Sequence, residues 1–160
     1  CKKDDENTVP GQFTFDGKKH ELQSCYFAKN AEFGPLYRLV MIVSKDITFT
    51  NTFSSVTGKG NIVLLGIQLP EGQTDFSSGD YTYESDPAYR LPSTFNGGFM
   101  VGFDSANGNS ESESEMSNTT ILKITKSGQN YTFSASGVTE DGKIFDFLYT
   151  GSLIQLQDYK

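Results

Sequence analysis

Apolar and polar residues alternate along much of the chain with the period of two that is typical of strands. The stretch "NYTFSASGVTEDGKIFDFLYTG" contains two such runs, separated by Asp141 and Gly142. The second run places three aromatic side chains on one face: Phe145, Phe147 and Tyr149. Because glycine tolerates the positive φ of a tight turn, the pattern predicts an antiparallel ribbon with one buried face.

A second ribbon is predicted near the beginning of the chain. The stretch "QFTFDGKKHELQSCYF" has Asp16 and Gly17 between two alternating runs. Four further apolar runs lie between the ribbons: "YRLVMIVS", "NIVLLGIQLP", "FMVGF" and "TTILKITKS". The chain should therefore form about nine or ten short strands.

The short strands favour an antiparallel β-sandwich, and a lipocalin-like up-and-down barrel is the alternative. Near the end of the chain, the apolar positions change from odd numbers at Tyr149 to even numbers at Ile154 and Leu156. A β-bulge near Gly151 would explain the change and would bend the strand. A continuous ring of bonded strands would favour the barrel.

The runs "YRLVMIVS" and "NIVLLGIQLP" are apolar on both faces, unlike the strands of a sheet with one solvated face. The second face therefore needs a cover. Three covers fit the sequence: the interior of a barrel, the long segment 71–98, or another chain.

Composition agrees with this fold class, because the 160 residues include 16 glycines and 21 phenylalanines and tyrosines. Residues 1–11 are polar and end in Pro10 and Gly11, so we expect a flexible tether followed by a single all-β domain over 12–160. No apolar run is long enough for a membrane helix. The net charge of −7 argues against nucleic acid as a partner.

Candidate catalytic groups are few. His20 is the only histidine, and Cys25 lies in the aromatic run "LQSCYFA", where we interpret it as a small buried hydrophobe. We expect no cofactor, no metal site and no enzyme activity, although a hydrolase with two carboxylates in one cleft is a weaker alternative. The acidic segment 104–116 is interpreted as a solvated loop, with calcium binding as its alternative.

The segment 71–98 is rich in aromatic residues among turn residues, so it is either a lid over the core or a binding site. In "GDYTYE", Tyr81 is predicted to be buried. Tyr89 and Phe95 lie near prolines and are predicted to remain at the surface. A ligand there would be bound by Tyr89 and Phe95 and oriented by Arg90 and Asp86.

The chain begins with "CKKDDENTVP", which resembles the mature N-terminus of a bacterial lipoprotein. The resemblance implies diacylglycerol on the Cys1 sulfur and a third acyl chain on its amino group, which together would anchor the protein firmly in a membrane. Lys3 followed by Asp4, Asp5 and Glu6 is similar to the signal by which Bacteroidetes send lipoproteins to the outside of the outer membrane. A chain cut from a longer protein is the alternative account of Cys1.

Phrases such as "FTFDGKKHEL", "LPEGQTDFSSGDYTYE" and "YTFSASGVTEDGKIFDFLYTGSL" resemble those of small all-β lipoproteins common in gut Bacteroidetes. The resemblance covers most of residues 12–157 as a rhythm of strands and turns, and it assigns no functional residue beyond Cys1. It implies a non-catalytic lipoprotein of the cell surface that binds a glycan, a peptide or a partner protein. A structural or accessory subunit of an outer-membrane assembly is the alternative, and the oligomeric state stays open.

Overall fold

The computed structural model describes residues 9–86 and 91–158, which contain fourteen strands, two short 3-10 helices and no α-helix. The elements are β1 (Gly11–Phe15), β2 (Lys18–Leu22), β3 (Ser24–Lys29), η1 (Ala31–Phe33), β4 (Tyr37–Val43), β5 (Thr48–Phe49), η2 (Phe53–Ser55), β6 (Val56–Thr57), β7 (Lys59–Gln68), β8 (Gly79–Tyr83), β9 (Thr94–Asp104), β10 (Ser112–Glu115), β11 (Ile121–Ser127), β12 (Asn130–Val138), β13 (Ile144–Gly151) and β14 (Leu153–Gln155). The prediction of an all-β fold is confirmed.

Twelve of these strands form one sheet within the described ranges, in the order β14-β3-β4-β7-β9-β8-β11-β12-β13-β1-β2, with β10 paired to β9 beside this path. The strands β5 and β6 form a separate two-stranded sheet. Most neighbours are antiparallel, as predicted, whereas β14 with β3 and β8 with β9 are parallel. The large sheet is therefore mixed.

The large sheet curls over so that its two halves face each other across one core. We call β14, β3, β4, β7, β9 and β10 the front layer, and β8, β11, β12, β13, β1 and β2 the back layer. Phe99 on β9 lies 5.1 Å from Phe13 on β1 and 5.0 Å from Phe145 on β13, measured between ring centroids. Among the described residues, the end strands β14 and β2 are not paired to each other, so the packing is that of a sandwich made from one open sheet.

Both predicted ribbons are present. Asp16 and Gly17 have φ values of 51° and 77°, as the type I′ turn between β1 and β2 requires. Gly142 has φ of 84° in the turn between β12 and β13. The local turn chemistry thus determines both hairpins.

The predicted bulge near Gly151 is wrong. The pairing of β13 with β12 continues without a register shift as far as Tyr131 and Gly151. The chain then leaves the back layer, and Leu153 pairs with Cys25 at the edge of the front layer. The apolar phase changes because the chain enters the front layer, where Leu156 is buried while Ile154 is 43% exposed.

The outer face of the front layer, which points away from the central core, is partly covered by the segment 47–53. Ile47, Phe49 and Phe53, from the stretch around β5 and η2, pack against Val43 and Ile62 on this face. The segment 71–98 does not cover this face, since its residues Phe76 and Tyr81 lie in the central core instead.

Tyr81 has 1% of its surface exposed, and its hydroxyl donates to the Ser77 carbonyl at 3.0 Å. Its predicted burial is confirmed. Gly11, which was assigned to the tether, is the first residue of β1 and pairs with Tyr149. The strand thus begins one residue before the predicted boundary, and residues 1–8 of the tether lie outside the described residues.

Candidate functional site

A groove of about 600 Å³ lies on the outer face of the front layer, beside the area that β5 and η2 cover. Strands β7 and β9 form its floor, β4 and β10 lie on either side, and Tyr83 and Ser85 lie beyond. This volume is within the range of small-molecule and peptide sites. Because the floor belongs to the large sheet, hydrogen-bonded strands fix the shape of the groove.

The floor combines apolar side chains with two glycines. Leu39, Leu64 and Met100 contribute the apolar part, and all three are half-buried. Gly66 on β7 and Gly98 on β9 contribute no side chain, and Gly98 lies directly opposite Leu64. Neighbouring groups pack closely against both glycines, since side-chain tips lie over Gly66 and the Ser114 carbonyl occupies the place of a Cβ at Gly98.

Tyr37 and Asn96 form one end of the groove above Gly66. A Cβ at Gly66 would lie 2.6 Å from Asn96 Oδ1 and 2.7 Å from Tyr37 Oη, so both side-chain tips meet over this glycine. The Tyr37 ring is held by Phe33, with ring centroids 5.0 Å apart. Burial raises the pKa of Tyr37, which keeps its hydroxyl protonated at neutral pH and able to donate.

The wall opposite β4 is formed by β10, inside the acidic segment. Glu113 pairs with Met100 and Glu115 pairs with Gly98, so both glutamates project on the groove side of the sheet. Ser110 Oγ donates to Glu113 Oε1 at 2.6 Å. The interpretation of 104–116 as a loop throughout is wrong, because its alternating serines and glutamates add a strand to the edge of β9.

Tyr83 lies at the same end of the groove as Glu115. Its ring packs edge-on against Phe95, with centroids 5.4 Å apart. Burial, followed by the charges of Glu115 and Glu140, raises the pKa of Tyr83 to about 12. The hydroxyl is therefore neutral at physiological pH, and the negative potential of the carboxylates extends into this part of the groove.

Of the four predicted ligand-binding residues, the structure describes Phe95 and Asp86. The prediction that Phe95 remains at the surface is wrong: it is 1% exposed, because β9 begins at Thr94 and turns Phe95 toward the core. Asp86 is exposed and lines a small depression that adjoins the groove. Tyr89 and Arg90 lie outside the described residues.

Two features of the sequence indicate the position of the groove, although the predicted site did not include them. Gly97 and Gly98 interrupt the apolar run of β9, and the alternation in "SESESE" is itself a strand pattern. The position of Tyr37 over Gly66 had no such signal, because it depends on the pairing of β4 with β7.

The groove offers hydrogen-bond donors on tyrosines, an amide, and two carboxylates around an apolar floor. Glu113 and Glu115 lie on one face of β10, two residues apart. Elsewhere, burial raises the pKa of the Cys25 thiol, as suits the predicted small hydrophobe.

Comparisons with protein families, curated proteins and solved structures found no match. Among the described residues, no helix has the length and apolar character needed to cross a membrane.

Proposed function

We propose that this chain is a non-catalytic binding module, and that its ligand occupies the groove between β4 and β10. The observation that carries the proposal is the groove itself, about 600 Å³ of mixed apolar and polar lining on a rigid sheet. Sites of this kind bind ligands through an apolar floor and a few placed polar groups. A glycan, a peptide or a segment of a partner protein has the size to fill it.

Replacing Gly66 with alanine tests the groove. The added Cβ would displace the tips of Tyr37 and Asn96, which are side-chain ends that can move, so the fold should persist while the groove is obstructed. We expect the wild-type protein to bind members of a printed array of neutral oligosaccharides or of peptides of varied charge. We expect Gly66→Ala to bind the same members about tenfold more weakly, a loss of about 1.4 kcal/mol.

Gly137→Ala is the matched control. Its Cβ would lie at ordinary contact distances of 3.5 Å from Thr120 and 3.7 Å from Phe145, on β12 of the back layer. This variant should bind like the wild type. Absence of binding to both arrays, or equal binding by Gly66→Ala, would contradict the proposed function.

The proposal places this module at the outer surface of the outer membrane, as a lipoprotein anchored through Cys1. Its support is the resemblance of "CKKDDENTVP" to lipoprotein N-termini and of the strand phrases to those of gut Bacteroidetes lipoproteins. Three acyl chains would hold the module in the membrane without a protein span.

Labelling cells with a fatty-acid analogue tests the anchor. When the chain is expressed behind a lipoprotein signal peptide in a Gram-negative host, Cys1→Ser should abolish both the label and membrane retention. Cys25→Ala should keep both, because Cys25 is buried in the core and has no access to an acyl donor. A labelled Cys1→Ser variant would refute lipidation at this residue.

An accessory subunit of an outer-membrane assembly is the second candidate. It is supported by apolar side chains on the back layer that face solvent: Ile121, Val138, Ile144 and Leu148, exposed by 46%, 42%, 75% and 47%. Val138 and Ile144 are cross-strand partners, so they form a continuous apolar surface at one end of β12 and β13. Concentration-dependent association that Ile144→Ser removes would favour this candidate.

A further inference from the structure

The charge of the groove restricts its ligand, and this step rests on the proposed function. Among the described residues, the lining contains two acidic side chains, Glu113 and Glu115, and neither lysine nor arginine. The adjoining depression adds a third acidic side chain, Glu84, to its lining. An anionic ligand would be repelled here, and a cationic ligand would be attracted.

The spacing of the two glutamates indicates the form of the ligand. They are two residues apart on β10 and share one face, so their Cα atoms are about 6.8 Å apart along the strand. Side chains on one face of an extended peptide have the same spacing. Two lysines or arginines at alternate positions of such a peptide would therefore lie beside Glu113 and Glu115, one at each carboxylate.

The floor complements the remaining positions of such a peptide. Leu39, Leu64 and Met100 lie within the same groove as the two carboxylates and are half-buried without a ligand. Apolar side chains of the ligand would remove these surfaces from water. Tyr37 and Tyr83, whose hydroxyls are neutral at physiological pH, can donate hydrogen bonds to peptide carbonyls.

We propose that the groove binds a basic peptide in extended conformation, with ammonium or guanidinium groups on Glu113 and Glu115 and apolar side chains on Leu39, Leu64 and Met100. The carboxylates supply charge complementarity and faster association, and the apolar floor supplies contact area. A neutral oligosaccharide would use the same floor but would gain little from the carboxylates. The dependence of the affinity on the charge of the ligand therefore distinguishes a basic peptide from a neutral oligosaccharide.

The probe is a fluorescein-labelled, N-acetylated octapeptide in which lysine alternates with leucine and threonine, measured by fluorescence anisotropy on the full chain. A matched peptide carries glutamine at each lysine position. We expect the lysine peptide to bind at least tenfold more tightly at about 0.05 M salt and to lose most of this preference at about 0.5 M. The double variant Glu113→Gln and Glu115→Gln should bind the lysine peptide about three- to tenfold more weakly. This is the loss expected from two partly exposed ion pairs.

The control is Glu21→Gln with Glu71→Gln, which changes the net charge equally but alters exposed residues outside the groove lining. It should leave the affinity for the lysine peptide unchanged. Equal weakening by this control, or equal binding of the two peptides, would overturn the basic-peptide proposal.

If a neutral oligosaccharide binds in a manner sensitive to Gly66→Ala while the lysine peptide does not bind, this inference fails and the proposed function stands. If no probe depends on Gly66, both fail.

Discussion

Replacing Phe99 with alanine is expected to lower the free energy of unfolding by about 3–5 kcal/mol, which is a large part of the stability of an ordinary domain. Phe99 is 2% exposed and lies where the two layers meet. Its ring contacts Phe13 and Phe15 from β1 and Phe145 and Phe147 from β13, at centroid distances of 5.0 to 6.3 Å. Truncation would leave a cavity lined by rings from two strands, which cannot all move inward to fill it.

Chemical denaturation followed by circular dichroism measures this loss. Ile144→Ala is the control, because Ile144 is 75% exposed and its truncation should change the free energy of unfolding by no more than about 0.5 kcal/mol. Equal effects of the two substitutions would show that Phe99 is not central to the core. Phe99 also belongs to the strand that floors the groove, so ligand binding should fall with the folded fraction.

The second large effect is expected at Arg38, where methionine should cost about 2–4 kcal/mol. Arg38 is 3% exposed, and its guanidinium donates to the carbonyls of Pro35, Tyr37 and Thr74 at 2.8 to 2.9 Å. Methionine matches much of the aliphatic stem but leaves these carbonyls without their charged donor. Asp75 lies close enough to act on the pKa of Arg38, which burial lowers and this carboxylate raises.

The bond to Thr74 attaches the loop between β7 and β8 to β4, so the Arg38 variant should also become sensitive to protease within residues 71–78. Lys45→Met is the control, since Lys45 is exposed in a turn. It should alter neither denaturation nor proteolysis. An Arg38→Met protein that unfolds like the wild type would show that these hydrogen bonds contribute no net stability.

Features that depend on a few neighbouring residues could be predicted from the sequence. The turn at Asp16 and Gly17 needs only a positive φ at two positions, and both residues supply it. The buried aromatic face of β13 needs only a period of two. In both places the local signal and the tertiary structure agree, so the prediction holds.

Phe95 shows where local reasoning fails. Pro92 indicates irregular backbone, but the irregularity ends at Ser93, which has φ of 57°, and Thr94 Oγ1 donates to the Leu91 carbonyl as β9 begins. The burial of Phe95 then follows from its register with Ile67 on β7. No pattern within a few residues of Phe95 encodes that register.

The assembly of the groove from separate strands was beyond prediction for the same reason. It depends on Tyr37, Gly66 and Asn96 lying side by side on three strands, and on a cover formed by Phe49 and Phe53 that ends before it reaches them. The sequence shows each residue type but gives no indication of which strands will be neighbours. Pairing between strands distant in sequence decides the site.

The parallel pairing of Leu153 with Cys25 also affects how the chain folds. The outer edge of β3 acquires its partner only from residues 153–155, and β1 similarly pairs with β13. Contacts so distant in sequence make folding slow and leave strand edges open until both partners are present. A holdase that binds open strand edges should therefore raise the folding yield of this chain.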